Sequence, residues 1–307
     1  MRKKLLGGIF LALAVAFSLF NVVAWEQGRR ASHILPQHPA QSGWDRALFG
    51  AYTSKRKNDP LPWPAMRTKV LGWQGSKLDL VVVEKAKGAP LVVLLHGYLD
   101  NKTLMFPIAS ELLSRGYSVA IPDFHGHGDS EGWTTSMGYH EAEDVVAVTR
   151  FARELLAPRS LAIYGVSMGG AAACRALGSL SLTADALVLD GVYDRFANAV
   201  AHTARLQGLP VWPTATLAAF WIGQGGGYNA FAVDPAQWAK GISVPCLVMV
   251  GTADNRVSVE ETKRIFESLA GPKRLALIPG AGHAELYDHF REPWRESVLV
   301  FLKAYLR

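Results

Sequence analysis

The sequence predicts an α/β fold with a mostly parallel sheet and helices on both of its faces. Short, continuously apolar segments recur along the chain, which is typical of strands covered on both faces. Segments with helical periodicity separate them, and this alternation favours parallel strands joined by crossover helices. The chain has 307 residues, of which 50% are hydrophobic and 19% are charged. That is enough for one large domain with its own core.

The apolar segments predict seven strands. They are LDLVVVE (78–84), LVVLLHG (91–97), YSVAIPD (117–123), LAIYGVS (161–167), ADALVLDG (184–191), CLVMVG (246–251) and RLALIP (274–279). Helices are predicted at 102–114, 139–156, 168–179, 258–269 and 292–306. The alternation stops at 192–240, a segment rich in aromatic residues that also contains GQGGGYN. We interpret 192–240 as a short cap insertion across the top of the sheet, within a domain spanning 66–307.

The N-terminal residues, 1–27, differ from the rest of the chain. Three basic residues precede Leu5–Trp25, which contains no charged residue. About 20 apolar residues span a bilayer as a helix, and basic flanks stay in the cytoplasm. We therefore expect a membrane anchor, with the domain outside the cytoplasm and residues 28–65, which contain five prolines, as a stem. Two alternatives stay open: a signal peptide cleaved after VVA (22–24), leaving a secreted or periplasmic protein, and a buried helix.

Composition argues against some partners. The net charge is +6, but the basic residues are spread out and form no patch that alternates with aromatic residues. We therefore expect no nucleic-acid binding. Cys174 and Cys246 both lie in apolar segments, which favours buried free thiols over a disulfide. The oligomeric state does not follow from the sequence.

The segment YGVSMGG (164–170) places Ser167 where a predicted strand meets a predicted helix. Gly165 and Gly169 flank the serine in a G-x-S-x-G pattern. A sharp turn of this kind exposes the serine Oγ at the sheet edge, and the small residues prevent clashes between strand and helix. The pattern and its context together predict that Ser167 is a nucleophile, rather than part of a glycine-rich packing turn.

A serine hydroxyl needs a base, and the base needs an acid to orient it. His283 lies in the loop IPGAGHAE after the last predicted strand, whereas His289 falls in a helical segment. Asp254 follows the strand LVMVG, so Ser167, Asp254 and His283 have the chain order expected for such a triad. Asp190 and Asp194 are rival acids, and a turn-forming role for Asp254 is a further alternative.

An acyl-transfer site also needs hydrogen-bond donors for an oxyanion. The backbone N–H of Met168, the residue after the serine, is one predicted donor. The second is the N–H of Tyr98, in the loop after LVVLLHG, where Gly97 permits close approach. We expect His96 to orient this loop through hydrogen bonds.

HGYLDN, PDFHGHGDS, YGVSMGG, VGTADNRV and PGAGH occur in this order. Together they resemble the α/β-hydrolase family from about residue 66 to the end of the chain. The chain is most similar to bacterial serine hydrolases with an N-terminal membrane segment and a short cap, among them esterases and peptidases. The resemblance implies Ser167, Asp254 and His283 as nucleophile, acid and base, 96–98 as the oxyanion loop, and no cofactor. HGY stands where one lipase and esterase branch has HGGG, so that branch's substrates are not implied.

The segment DFHGHGDS and the following helix offer further polar side chains. His125, His127, Asp129 and His140 are possible metal ligands, but the resemblance implies a structural loop here, and we expect no metal site. Glu141, Glu143 and Asp144 are expected to favour the N-terminal end of a helix dipole.

Taken together, these features predict a serine hydrolase for a small-molecule acyl substrate, with a carboxylic ester as the default bond. A peptidase, an amidase, a thioesterase or a non-catalytic binding module of the same fold are the alternatives.

Overall fold

A computed structural model describes residues 61–306, together with residues 18, 21–22 and 24–26. The described chain contains an eight-stranded sheet in the order β1-β2-β4-β3-β5-β6-β7-β8. The strands are β1 (Met66–Leu71), β2 (Lys77–Val83), β3 (Leu91–Leu95), β4 (Ser118–Pro122), β5 (Leu161–Val166), β6 (Ala186–Asp190), β7 (Cys246–Gly251) and β8 (Lys273–Ile278). β2 pairs antiparallel with β1 and with β4, and all other pairs are parallel. The predicted fold class is confirmed.

Nine α-helices connect or follow these strands in the described chain. They are α1 (Phe106–Ser114), α2 (Glu141–Leu156), α3 (Met168–Ser179), α4 (Phe196–Leu206), α5 (Val211–Gly226), α6 (Pro235–Ala239), α7 (Val259–Ser268), α8 (Leu286–His289) and α9 (Arg291–Tyr305). The five predicted helices correspond to α1, α2, α3, α7 and α9. Within 192–240 the chain forms α4, α5 and α6, which the sequence analysis did not predict individually.

The core consists of two apolar clusters, one on each face of the sheet. In β3, Val93 belongs to one cluster and its neighbour Val92 to the other, because side chains alternate along a strand. Buried residues of α2, α3 and α7 complete the first cluster, and those of α1 and α9 complete the second. Cys174 and Cys246 are buried free thiols in the first cluster, as predicted.

The segment before the sheet is described in part. The predicted anchor at 1–27 and the predicted stem at 28–65 lie mostly outside the described residues. Of the stem, Trp63 donates from its indole Nε1 to the Ser110 hydroxyl at 3.1 Å and packs its ring against Phe106 on α1. The end of the stem therefore packs on the domain. In the part of the chain that is described, no helix is both long and apolar enough to cross a membrane.

Candidate active site

Ser167 lies in a strained turn between a strand and a helix. β5 ends at Val166 and α3 begins at Met168, and Ser167 itself has φ 49° and ψ −115°. Positive φ is uncommon for a residue with a side chain, and such strain is often found at functional sites. The turn holds Ser167 at the carboxyl edge of the parallel strands, as the sequence predicts.

The glycines around Ser167 allow strand and helix to approach closely. A Cβ at Gly165 would lie 2.5 Å from the backbone nitrogen of Gly170. A Cβ at Gly169 would lie 2.6 Å from the carbonyl oxygen of His96. Both distances are too short for a non-bonded contact, so a side chain at either position would push α3 away from β5 and β3.

Ser167, His283 and Asp254 form a hydrogen-bonded chain. The His283 Nε2 lies 3.2 Å from the Ser167 Oγ, and its Nδ1 lies 2.8 Å from Asp254 Oδ2. Asp254 follows β7 and His283 follows β8, so the loops of two neighbouring parallel strands deliver them to the same edge as Ser167. The three residues predicted from their chain order are therefore brought together.

The Asp254 carboxylate is fixed by its own loop. Its Oδ1 accepts hydrogen bonds from the backbone N–H groups of Arg256 at 2.8 Å and Val257 at 2.9 Å. The turn-forming role considered for this aspartate is thus present. The hydrogen bonds of the turn use Oδ1 and leave Oδ2 directed towards His283.

The rival acids have other partners. Asp190 Oδ2 accepts from the Tyr164 hydroxyl at 2.6 Å, and the Trp294 indole donates to that same hydroxyl at 2.9 Å. Burial raises the pKa of Asp190 to about 6. Asp194 pairs with the Arg264 guanidinium at 2.6 Å. In this geometry His283 contacts Asp254 through its Nδ1, and neither rival occupies that place. His289 is exposed at the end of α8.

The predicted oxyanion loop lies against the nucleophile. A Cβ at Gly97 would lie 3.7 Å from the Ser167 Cβ, so the backbone passes directly beside the serine. Met168 is the first residue of α3, and its N–H therefore has no acceptor within the helix. Tyr98 is half-buried and packs against the first core cluster.

His96 ties the start of this loop to the end of β4. Its Nε2 accepts from the Phe124 N–H at 3.1 Å, and its Nδ1 lies 2.7 Å from the Gly97 carbonyl oxygen. This pattern requires a proton on Nδ1 and none on Nε2. Burial lowers the pKa of His96 well below its ordinary value, so the ring stays neutral in this arrangement.

Lys102 anchors the other end of the loop. No sequence pattern indicates this role. Its ammonium is buried and lies 2.5 Å from Asp123, 2.8 Å from Asp129 and 3.2 Å from Asp79. Its backbone N–H donates to Asp123 as well, at 2.7 Å. The three carboxylates thus hold a lysine cation, with Arg67 at their outer side.

Asp100 is a second residue that the sequence analysis missed. A Cβ at Gly97 would lie 3.3 Å from its Oδ2, so this carboxyl group is close to the Ser167 turn. Burial raises the pKa of Asp100 to about 7, although the charges of His283 and Arg256 oppose that rise. No signal in the sequence distinguishes this aspartate from a turn residue.

A cavity of about 330 Å³ opens beside His283. It is bordered by Ala253, Asn255, Arg256, Gly280, Gly282, His283 and Glu285. Its lining residues lie on the two loops that carry Asp254 and His283.

The histidine-rich loop after β4 has structural contacts. His127 Nδ1 lies 2.9 Å from the His125 carbonyl oxygen, and the His140 ring stacks on Trp73. Among the described residues, the four side chains considered as metal ligands do not converge on one point. Two of the three acids at the start of α2 do more than face a helix dipole. Glu141 accepts from Ser136 and Gly138, whereas Asp144 accepts from Trp73 and His125.

Comparison with known proteins finds one matching family model and several bacterial relatives. A family model described as the alpha/beta hydrolase fold matches residues 90–211. The uncharacterized protein YqkD of Bacillus subtilis is 31% identical over 214 residues, which cover 69% of this chain and 70% of YqkD. The uncharacterized protein YfhR of Escherichia coli K12 is 24% identical over 264 residues, or 83% of this chain and 86% of YfhR.

Solved structures agree on the fold. The esterase Pf2001 of Pyrococcus furiosus superimposes with a TM-score of 0.70 at 21% identity, covering 90% of this chain and 99% of the esterase. With the sheet order, the turn at Ser167 and the YqkD relationship, these matches show that the chain belongs to the α/β-hydrolase fold family.

Proposed function

We propose that this protein is a serine hydrolase that cleaves a carboxylic ester of a small-molecule substrate through an acyl-enzyme. The observation that carries the proposal is the hydrogen-bonded chain from Ser167 through His283 to Asp254 at the carboxyl edge of the sheet. A nucleophile, a base and an orienting acid in that order are the parts that acyl transfer requires.

In the proposed reaction, Ser167 Oγ attacks the ester carbonyl carbon while His283 Nε2 accepts the serine proton. The carbonyl oxygen becomes an oxyanion, for which the N–H groups of Met168 and Tyr98 are the proposed donors. When the C–O bond breaks, the imidazolium returns its proton to the leaving alcohol. Water then attacks the acyl-enzyme with His283 again as base, which releases the acid and restores Ser167.

Asp254 supports the base in both halves of this reaction. Its Oδ2 accepts from the Nδ1–H of His283, which keeps Nε2 free to take the serine proton. The carboxylate also stabilises the imidazolium that forms. No step in this mechanism calls on a metal or an organic cofactor.

The ester assignment is tested against the other acyl bonds. Esters, thioesters and amides with matched acyl groups of increasing length are offered to the wild-type protein and to Ser167→Ala. We expect the largest kcat/KM for an ester, and a loss of several orders of magnitude in the alanine variant. A larger kcat/KM for the amide or the thioester would mean that this bond, and not the ester, is the one cleaved. Residual activity within tenfold of wild type would place the nucleophile elsewhere. No turnover at all would favour a binding module.

We also propose that the N-terminal segment anchors the protein in a membrane, with the hydrolase domain outside the cytoplasm. The support is the basic start of the chain followed by the uncharged run Leu5–Trp25. Cleavage of the segment as a signal peptide is the alternative outcome.

A further inference from the structure

The connection between α4 and α5 exposes three large apolar side chains. Leu206 is 56% exposed, Leu209 is 44% exposed and Trp212 is 79% exposed. We call these three residues the cap tip. Leu206 ends α4, Leu209 lies in the connection and Trp212 is the second residue of α5, so all three fall within seven positions of the chain. Exposed apolar residues are normally scattered singly.

The charge nearest the cap tip is positive. From 195 to 233 the sequence contains no Asp or Glu, while it contains Arg195 and Arg205. Arg195 is already paired with Asp234, at 3.0 Å. Both arginines are exposed, and Arg205 precedes the first residue of the cap tip. Exposed Leu and Trp next to Arg, without acidic residues, is the composition of surfaces that lie at the boundary of an anionic bilayer.

The cap also touches the end of the uncharged N-terminal run. The Trp221 indole on α5 donates to the Asn21 side-chain oxygen at 3.1 Å, and Ala24 is buried. Val22 and Trp25, on the same segment, are 61% and 46% exposed. Most of the run Leu5–Trp25 lies outside the described residues, and its described end meets the domain at the cap.

We propose that the cap tip docks on an anionic phospholipid bilayer, with Leu206, Leu209 and Trp212 at the boundary between headgroups and acyl chains. Arg205 then faces the phosphate level, where anionic lipid complements its charge. The inference rests on the proposed membrane location of the N-terminal segment. It does not depend on which acyl bond Ser167 attacks.

The first test measures the depth of one residue. The full chain carrying Leu209→Cys is labelled with a nitrobenzoxadiazole maleimide and reconstituted into vesicles of phosphatidylglycerol and phosphatidylcholine. Native thiols stay unlabelled because Cys174 and Cys246 are buried, and burial raises the pKa of Cys174 to about 12. The control label is at Glu154→Cys, an exposed position on α2.

We expect nitroxide-bearing lipids to quench the probe at 209 at least threefold more than the probe at 154, and aqueous iodide to do the reverse. Equal quenching at the two positions would overturn the proposal. Protection of the probe at 209 from iodide could also increase with protein concentration and not depend on nitroxide lipid. That result would overturn the proposal in favour of contact with a second copy of the chain. Unchanged quenching in phosphatidylcholine alone would contradict the role given to anionic lipid.

A second test replaces the other two apolar residues of the cap tip. In the Leu209→Cys background, Leu206→Ser with Trp212→Ser should reduce lipid quenching by at least half. The matched pair Leu155→Ser with Val300→Ser, at two exposed positions on α2 and α9, should leave it unchanged. Hydrolysis of a water-soluble ester is measured on every variant. Strong lipid quenching at 209 in a Leu209→Cys protein that hydrolyses no ester would contradict the proposed function alone. Hydrolysis with quenching that the Leu206→Ser and Trp212→Ser changes leave unaltered would contradict the docking alone.

Discussion

At the scale of single residues, Asp254 and Asp190 are two carboxylates near one histidine with different partners. Asp254 Oδ2 faces His283 Nδ1, whereas Asp190 Oδ2 accepts from the Tyr164 hydroxyl. Only the first arrangement can fix the tautomer of the base. The distinction between the two acids is therefore one of geometry and not of burial, since both carboxylates are buried.

Asp254→Asn should lower kcat by about 10⁴-fold, because an amide in place of the carboxylate favours the wrong tautomer of His283. Asp190→Asn keeps an acceptor for Tyr164 and should change kcat by less than about tenfold. Steady-state ester hydrolysis measures both effects, with thermal unfolding to show that each variant is folded. A larger loss for the Asp190 variant would reverse the assignment of the acid.

Asp100 predicts a dependence of stability on pH. Burial raises its pKa from 3.8 to about 7, so between these values the unfolded chain has lost a proton that the folded chain retains. The ionised form is disfavoured in the fold, and stability from this group falls as pH rises through that window. Asp100→Asn should therefore gain about 4 kcal/mol of unfolding free energy over wild type from pH 4 to pH 8. Urea unfolding at both pH values measures it. A constant difference would contradict the raised pKa.

The residues of the candidate triad could be predicted from the sequence because their loops follow strands in a fixed order. Asp100 and Lys102 could not, since neither has a local pattern that indicates burial. Lys102 is neutralised by carboxylates at 79, 123 and 129, and only the folded sheet brings these positions together.

At the scale of elements, the loop from β3 to α1 is held at both ends. His96 joins its start to Phe124, and Lys102 joins its end to Asp123. Both anchors lie just beyond β4, so the loop that passes Ser167 is fixed to a neighbouring strand of the sheet.

Lys102→Met should cost about 3–5 kcal/mol of unfolding free energy, because it leaves the buried Asp123 carboxylate without its cation. The control is Lys77→Met, whose partner Glu131 is 3.6 Å away and which is 60% exposed. An exposed pair of this kind contributes little, and we expect a change of less than about 1 kcal/mol. Chemical denaturation compares the two. Equal losses would mean that the buried cluster is not what stabilises this loop.

Elements with continuous apolar runs were predictable, and the others were not. β2 to β7 are almost entirely buried and match the predicted segments closely. β8 also matches its segment, although half of its residues are exposed. The edge strand β1 has the mixed sequence MRTKVL and is not among the predicted strands. The cap helices were missed for a different reason. α5 contains Pro, Trp and three glycines, which hide helical periodicity, and its packing against α4 is a tertiary effect.

At the scale of the whole molecule, the features that stabilise the domain differ from those that decide its proposed location. The domain is stabilised by two apolar clusters on the faces of one sheet. Its proposed location depends on the charge asymmetry around Leu5–Trp25, which leaves basic residues on the cytoplasmic side.

Fractionation of cells expressing the full chain, with protease added to spheroplasts, tests that location. We expect full-length protein in the membrane fraction whose domain is degraded by external protease. Soluble protein that begins near Trp25 would indicate a cleaved signal peptide. Full-length protein in the soluble fraction would contradict the anchor, and a membrane-bound but protected domain would reverse the orientation.

The identity of the nucleophile is tested most directly by covalent labelling with a fluorophosphonate, followed by mass spectrometry of the digested protein. We expect one adduct, on the peptide that contains Ser167. His283→Ala should slow its formation by several orders of magnitude, and Asp190→Asn should not. An adduct on another residue, or a labelling rate unaffected by Ser167→Ala, would contradict the assignment of Ser167 as the nucleophile.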